Sequence, residues 1–377
     1  METTENKPWM KVEIATVLDL LRDKSKHVLV ETAPAVRVAL GELFGYPLGT
    51  ALPGKMVSAL RKVGFEAVFD GDFGADITVW EEGAEFLRKV RNGGPFPHFT
   101  SCCIGWVLNV ERTYPDLLPY LSTTKSPLGC FGSVAKTYYA KKMGYRPEDI
   151  VVVSVVPCIL KKNENEKPYN VTHGLPDVDY TWTTKDLGAV LKGMGIELRD
   201  LPDSPFDDPL GESTQGGTGF GKEGGVLSSC LKSARYWDDG TIDEKPLLLT
   251  PNPSVPDIRE GTYVIAGKKL LVAHCGMVGI RTILPMVREH TCPYAFVEVM
   301  ACPGGCIMGA GQPLHLPSEG LSPLLVRTKR KEALTSLETG QKPISPLNAS
   351  LRKIYAEQFD GKPLSEKAEE ELHRRYH

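Results

Sequence analysis

The 377-residue sequence predicts an α/β protein of two lobes, each a mainly parallel, twisted sheet flanked by helices. Three observations carry that prediction. Short β-branched runs alternate with segments of helical apolar spacing along most of the chain. Ile150-Val-Val-Val-Ser-Val-Val156 is a continuous apolar run, the pattern of a strand covered on both faces of a parallel sheet. Several runs stop at proline or cysteine, and open α/β sheets gather their ligand-binding loops at the carboxyl ends of strands.

Taken in order, Lys11 to Arg22 reads as an amphipathic helix, and His27-Val-Leu-Val-Glu-Thr-Ala-Pro34 as a strand stopped by its proline. Helical spacing follows over Val38 to Leu43 and Gly54 to Val63, and Phe65 to Asp70 reads as a strand. Asp76 to Val90 is helical up to the breaker Asn92-Gly-Gly-Pro-Phe-Pro97, after which a strand leads into Cys102-Cys103. A helix over Val134 to Met143 precedes the Ile150 strand, which ends at Pro157-Cys158. Further strands are expected at Asp179 to Thr183, Lys269 to His274 and Tyr294 to Met300, with helices at Thr184 to Lys192 and Gly225 to Ala234. The lobes divide as residues 1–145 and 146–320, with a helical segment, 321–377, wrapping the core.

Composition sets the class. With 41% apolar and 24% charged residues the chain can bury a large core. A net charge of -3 with both signs mixed excludes a nucleic-acid partner and a membrane-surface partner. The longest apolar run is too short to span a bilayer, and Met1-Glu-Thr-Thr-Glu-Asn-Lys-Pro8 lacks the apolar core of a signal peptide, so the expected location is cytoplasmic.

Nine cysteines in a chain of this size suit metal or redox chemistry rather than disulfide staples. Cys302 and Cys306 flank Pro303-Gly-Gly305, a segment that forbids regular helix and lets backbone approach a bulky ligand. Cys103 and Cys158 also sit at predicted strand ends. Together they offer four thiolates, the set a cubane iron-sulfur cluster takes and equally one that could hold zinc. Cys130, Cys230, Cys275 and Cys292 lack paired spacing and read as small buried hydrophobes, and His274 as structural. Gly219-Phe-Gly-Lys-Glu-Gly224 matches G-x-G-x-x-G but follows an acidic loop rather than a strand, so it reads as a close turn rather than a dinucleotide site.

Thr100-Ser-Cys-Cys-Ile-Gly-Trp106, Val156-Pro-Cys-Ile-Leu-Lys-Lys-Asn-Glu164 and Glu298-Val-Met-Ala-Cys-Pro-Gly-Gly-Cys-Ile-Met-Gly-Ala-Gly-Gln-Pro313 resemble, in order, the three signature motifs of the iron-iron (FeFe) hydrogenases. The likeness runs from Thr32-Ala-Pro34 to the C-terminal segment, which is similar to the family's small subunit fused to the large one. The resemblance implies reversible reduction of protons to hydrogen at an H-cluster in the cleft between the lobes. That cofactor is a 4Fe-4S cubane joined through one cysteine sulfur to a di-iron azadithiolate unit with carbonyl and cyanide ligands.

Carried over by position, the resemblance makes Cys103, Cys158, Cys302 and Cys306 the cubane ligands, with Cys306 the bridge to the di-iron unit. Cys102 becomes the proton-passing thiol, fed by Glu82, Glu85 and Ser122, where spacing alone would make the glutamates a solvated helix face with an ordinary Glu85–Lys89 pair. Lys161 would donate to a cyanide with Glu164 orienting it, Lys162 being exposed. Ala33 and Pro34 would line the second cyanide, and Phe220 and Met300 would be apolar walls. The chain departs from the family at Ile104, Leu128, Val156 and Ala310. The resemblance further implies a monomer without accessory iron-sulfur clusters, an external electron carrier such as ferredoxin, and dedicated di-iron maturation enzymes. A hydrogen sensor and a non-catalytic iron-sulfur assembly relative are the alternatives; the retained Cys102, Lys161 and Glu164 favour the enzyme.

Overall fold

Two sheets share the chain, and the strands they take from it interleave. The computed structural model describes residues 11–376, so the polar stretch Met1–Pro8 lies outside the described residues. Ile150–Val156 is buried at every position and lies inside a four-stranded sheet ordered Ala67–Asp70, His27–Thr32, Ile150–Val156, Tyr180–Thr183. All neighbouring pairs are parallel. Strand alternation divides its apolar residues between two cores. Val151, Val153 and Val155 meet the helices Val12–Leu20, Pro53–Val63 and Thr184–Gly193 on one face. Ile150 and Val152 share the opposite core with Phe131, Ile354 and Tyr355. A capping box between Thr183 and Asp186 turns the Tyr180 strand directly into its helix.

The second sheet runs His98–Phe99, Phe296–Val299, Lys268–Cys275, Ile258–Ile265, Thr250–Pro251. Its first three strands are parallel and its last two pairings antiparallel, so this sheet is mixed rather than mainly parallel. The difference comes from a hairpin that the sequence reading half found. Ala266 and Gly267, both at positive φ (51° and 70°), make the two-residue turn that folds Ile258–Ile265 back on Lys268–Cys275.

Sheet membership does not follow a boundary after residue 145. Ile150–Val156 and Tyr180–Thr183 complete the first sheet, while His98–Phe99 forms an edge of the second. Parallel neighbours need long crossovers, so adjacency in sequence does not decide which sheet a strand joins. Smaller corrections follow. The strand before the cysteine pair has two residues and ends at Phe99, Val38 to Leu43 gives a 3-10 turn over Leu40–Phe44, and the Val134 helix begins at Pro127.

Gly71–Asn92 is the central helix, with every residue from Gly71 to Leu87 buried. Asp70 caps it by accepting the Asp72 N–H at 2.9 Å. It packs against Pro127–Val134 and Gly225–Asp239, so five acidic side chains, Asp72, Asp76, Glu81, Glu82 and Glu85, lie inside the molecule. The C-terminal helices Pro323–Leu337, Ala349–Gln358 and Glu366–Leu372 close over the core. The tail then turns inward, where the Arg374 N–H donates to the Thr123 carbonyl at 2.6 Å. Among the described residues, no helix is long and apolar enough to cross a membrane.

Candidate metal centre

The carboxyl ends of the parallel strands of both sheets meet around one cavity. Ala33 and Pro34 follow the His27 strand, Pro157 and Cys158 the Ile150 strand, Cys102 and Cys103 the short His98 strand, and Met300 to Cys306 the Phe296 strand. Segments two hundred positions apart are thereby neighbours, as open α/β sheets permit.

The four expected ligand cysteines are all partly buried and free. Burial first, then the sulfurs of Cys103, Cys158 and Cys302, push the Cys306 thiol well up, and burial with Cys103 and Cys158 raises Cys302 to about 11. Cys103, Cys158 and Cys306 line one cavity, and Cys302 precedes Cys306 on the same loop. No group of three or more His, Cys, Asp or Glu side chains among the described residues gathers to hold a single metal ion. Zinc needs all its ligands at about 2.0–2.3 Å from one centre. A cubane gives each thiolate its own iron and tolerates the wider spread.

The loop sequence answers to its contacts. Gly305 has φ 85°, and a Cβ there would lie 2.9 Å from the Glu223 nitrogen and 3.0 Å from the Gly221 carbonyl oxygen. The G-x-G-x-x-G stretch is therefore a turn packed beside the metal loop. Cβ atoms at Gly309 and Gly311 would strike the Pro157 carbonyl, one residue before Cys158, and the Gly311 N–H donates to that carbonyl at 2.7 Å. Ala310 between them is exposed, so its methyl meets solvent.

Beside Cys306 lies an apolar cavity of about 70 Å³. On this measure one water needs ~10–15 Å³, so a group several times larger than water fits. Phe220, Met300 and the departures Leu128 and Val156 form its walls, whereas Ile104 is buried in the core behind the cysteine pair. Lys161 reaches the cavity with its ammonium donating to the Cys102 carbonyl at 2.9 Å and to Glu164 Oε2 at 2.5 Å. The cation is held charged although buried, because Glu164 outweighs the desolvation. Lys162 is half-buried rather than exposed and pairs with Glu13.

Cys102 is buried at the same cavity and its thiol is pushed up by burial and by Glu82, so it is a protonated thiol. Glu82 and Glu85 are buried, not a solvated face. Neither carboxylate oxygen of Glu82 has a hydrogen-bond partner, and burial followed by Glu85 raises its pKa well above the usual range. Glu85 accepts from the Ser122 hydroxyl at 2.8 Å; burial opposes its ionisation, but Lys89 at 3.7 Å prevails and holds it near 2. Glu82 thus acts on the Cys102 thiol, and the Ser122 hydroxyl joins the Glu85 carboxylate beside Lys89.

Sequence reasoning missed the C-terminal share of this site. Arg374 is fully buried and donates to Glu164 Oε1 at 3.2 Å, and the Tyr376 hydroxyl donates to the Ser122 carbonyl at 3.0 Å. It also missed Glu31 and Gly71, which line the cavity; an acidic residue inside an apolar strand was the available signal. Cys130, Cys230 and Cys275 are buried, Cys292 only partly, and His274 is held by Glu298 at 3.0 Å.

Residues 26–310 match the model of the iron only hydrogenase large subunit, C-terminal domain, and residues 325–377 that of the iron hydrogenase small subunit. The chain is 42% identical to the NADP-reducing hydrogenase subunit HndD of Solidesulfovibrio fructosivorans over 96% of its own length, and spans 62% of the length of that relative. It is 31% identical to the cytosolic iron-sulfur assembly component 3 of Pongo abelii, over 97% of this chain and 78% of the relative. Among solved structures, apo [FeFe]-hydrogenase HydA1 from Chlamydomonas reinhardtii superposes with a TM-score of 0.85 at 34% identity, covering 97% of this chain and 98% of that one.

Proposed function

Because the chain belongs to the iron-only hydrogenase family, we propose that it catalyses the reversible reduction of protons to molecular hydrogen at an H-cluster. One observation carries the reading: the Cys102 thiol and the Lys161 side chain face the same apolar cavity that Cys306 borders. The residues fit the group. Cys103, Cys158, Cys302 and Cys306 would hold the cubane, with Cys306 at the boundary of the cavity that would take the di-iron unit. When bound, that cluster supplies the electrons and the metal position at which protons become hydrogen.

The chain's own residues then have separable tasks. Lys161, fixed by Glu164 and the Cys102 carbonyl, offers an ammonium to an anionic ligand in a dry site, where such a contact is strong. Leu128, Val156, Phe220 and Met300 exclude water. Cys102 holds a proton at its sulfur and Glu82 holds one as a neutral acid. The Ser122 hydroxyl bonds the Glu85 carboxylate, which in turn faces Lys89.

Electrons would come from an external carrier, with a small ferredoxin the proposed donor. Arg259, Arg327 and Lys331 line a groove next to Gly304, which supports an acidic partner docking close to the Cys302–Cys306 loop. Maturation enzymes would deliver the di-iron unit, and the protein would act as a cytoplasmic monomer. A non-catalytic role in iron-sulfur assembly would need the four ligand cysteines alone; Cys102 and the Lys161–Glu164 pair have no task in it.

Purified apoprotein loaded with a cubane and then with a synthetic di-iron azadithiolate precursor is expected to evolve hydrogen from reduced viologen. It should also show carbonyl and cyanide infrared bands. Absence of both hydrogen and bands overturns the proposal.

A further inference from the structure

Among the residues that line the cavity, Glu31 carries the only carboxyl group. It stands on the strand His27–Thr32, and strand alternation puts residues 31 and 33 on one face, so Glu31 and Ala33 present the same wall to the cavity. Its side chain is 2% exposed, yet Oε1 has no hydrogen-bond partner. The hydroxyl of Ser154, its register partner on the neighbouring strand, acts on the carboxyl and lowers its pKa without closing to a formed hydrogen bond.

An unsatisfied buried polar atom costs about 1–3 kcal/mol, and in a native protein it points to a ligand or a function. The neighbouring chain makes room for it. Any Cβ at Gly71 would overlap Glu31 Oε2 and would lie 2.5 Å from the Thr32 carbonyl oxygen. A glycine at the head of the central helix and an acid on the facing strand are thus two halves of one arrangement.

The chemistry of the surroundings selects the form of the acid. Burial, with Asp70 adding to it, raises Glu31 to about 7, so the neutral carboxyl is accessible at physiological pH and provides an O–H donor. An anionic or dipolar acceptor entering the cavity would satisfy it. An apolar occupant would not.

We propose that Glu31 is a positioning residue for the di-iron unit, its carboxyl O–H offered from the Ala33 wall of the cavity to an anionic or dipolar ligand of that unit. This rests on the hydrogenase reading above. It would give that ligand a side-chain donor on the Ala33 wall, in addition to Lys161, and would offset the apolar Leu128 in the same cavity.

The test compares wild type, Glu31→Gln and Glu31→Leu, each loaded with cubane and synthetic di-iron precursor, by infrared spectroscopy and by iron retained after gel filtration. Glu31→Gln keeps a neutral donor and should keep both cyanide bands near their wild-type positions. Glu31→Leu should shift one cyanide band more than the other, and should lower precursor affinity on the order of 10–100-fold, the usual effect of removing an outer partner of a metal site. If Glu31→Leu loses its cubane, Glu31→Ala takes its place. Cyanide bands and retention equal in all variants would overturn the role of Glu31 and leave the hydrogenase reading standing. Wild-type protein without bands would overturn both.

Discussion

Replacing Arg374 by glutamine removes a cation from the interior of the protein at a point where the C-terminal segment meets the Lys161 clamp. Glu164 accepts from the half-buried Lys161 at 2.5 Å, from the buried Arg374 at 3.2 Å and from the buried Ser126 hydroxyl. At 3.2 Å and an effective dielectric of ~20 the Arg374–Glu164 attraction is about 5 kcal/mol before desolvation. Breaking such a buried pair costs roughly 3–5 kcal/mol, because the surviving charge stays out of water. Lys161 still neutralises Glu164, which places the expected loss at the lower end, about 3 kcal/mol. Urea unfolding of the apoprotein, followed by tryptophan fluorescence, measures it. The cycle with Glu164→Gln isolates the pair: the double variant should be less destabilised than the sum of the single ones by at least ~1 kcal/mol. A single variant within ~0.5 kcal/mol of wild type, or singles that add within ~0.5 kcal/mol, would refute the idea that the C-terminal tail holds the clamp.

Cys102→Ala should leave the carbonyl and cyanide bands of the loaded protein in place while lowering hydrogen evolution on the order of 10²–10⁴-fold; unchanged turnover would remove Cys102 from the proton route. Glu31 has its pKa raised from 4.5 to about 7 in the folded protein, so the folded form keeps a proton that the unfolded form releases. Its contribution to stability therefore falls as pH rises from about 4.5 to 7 and is level above, a loss of about 3 kcal/mol, and Glu31→Gln should flatten the wild-type decline in urea midpoint between pH 5 and 8. Gly309→Ala should cost about 1–3 kcal/mol by driving a methyl into the Pro157 carbonyl, and should loosen the cubane. Ala310→Gly should stay within ~0.5 kcal/mol, since Ala310 faces solvent; comparable thermal shifts for the two would contradict the packing of this loop.

Much of the molecule was legible in the order of its residues. The seven-residue run at Ile150 could only be a strand covered on both faces, and the three cysteine motifs named a family that the comparisons bear out. The cysteines that could take a metal are legible because few residue types bind iron and the spacing of Cys302 and Cys306 is constrained locally by Pro303, Gly304 and Gly305. The hairpin over Ile258–Cys275 was half legible, since Arg259, Glu260, Gly261 and Thr262 hide its alternation until the facing strand supplies the register.

Other features depend on pairs of residues that no local pattern connects. Glu82 and Glu85 look like a solvated face until Gly225–Asp239 and Pro127–Val134 close around the helix, at which point desolvation makes one a neutral acid and Lys89 keeps the other a carboxylate. Strand order assigned Ile150–Val156 and His98–Phe99 to sheets on the far side of the predicted boundary. Ala310, a departure from the family, lies between two glycines pressed on Pro157 and itself faces solvent. The sequence by itself determined which atoms could bind iron, because ligand chemistry belongs to single side chains. Only the tertiary structure decided which charges lose their water and which polar atoms, Arg374 against Glu164 or Glu31 at the cavity wall, must answer one another, because burial and pairing are properties of neighbours in space.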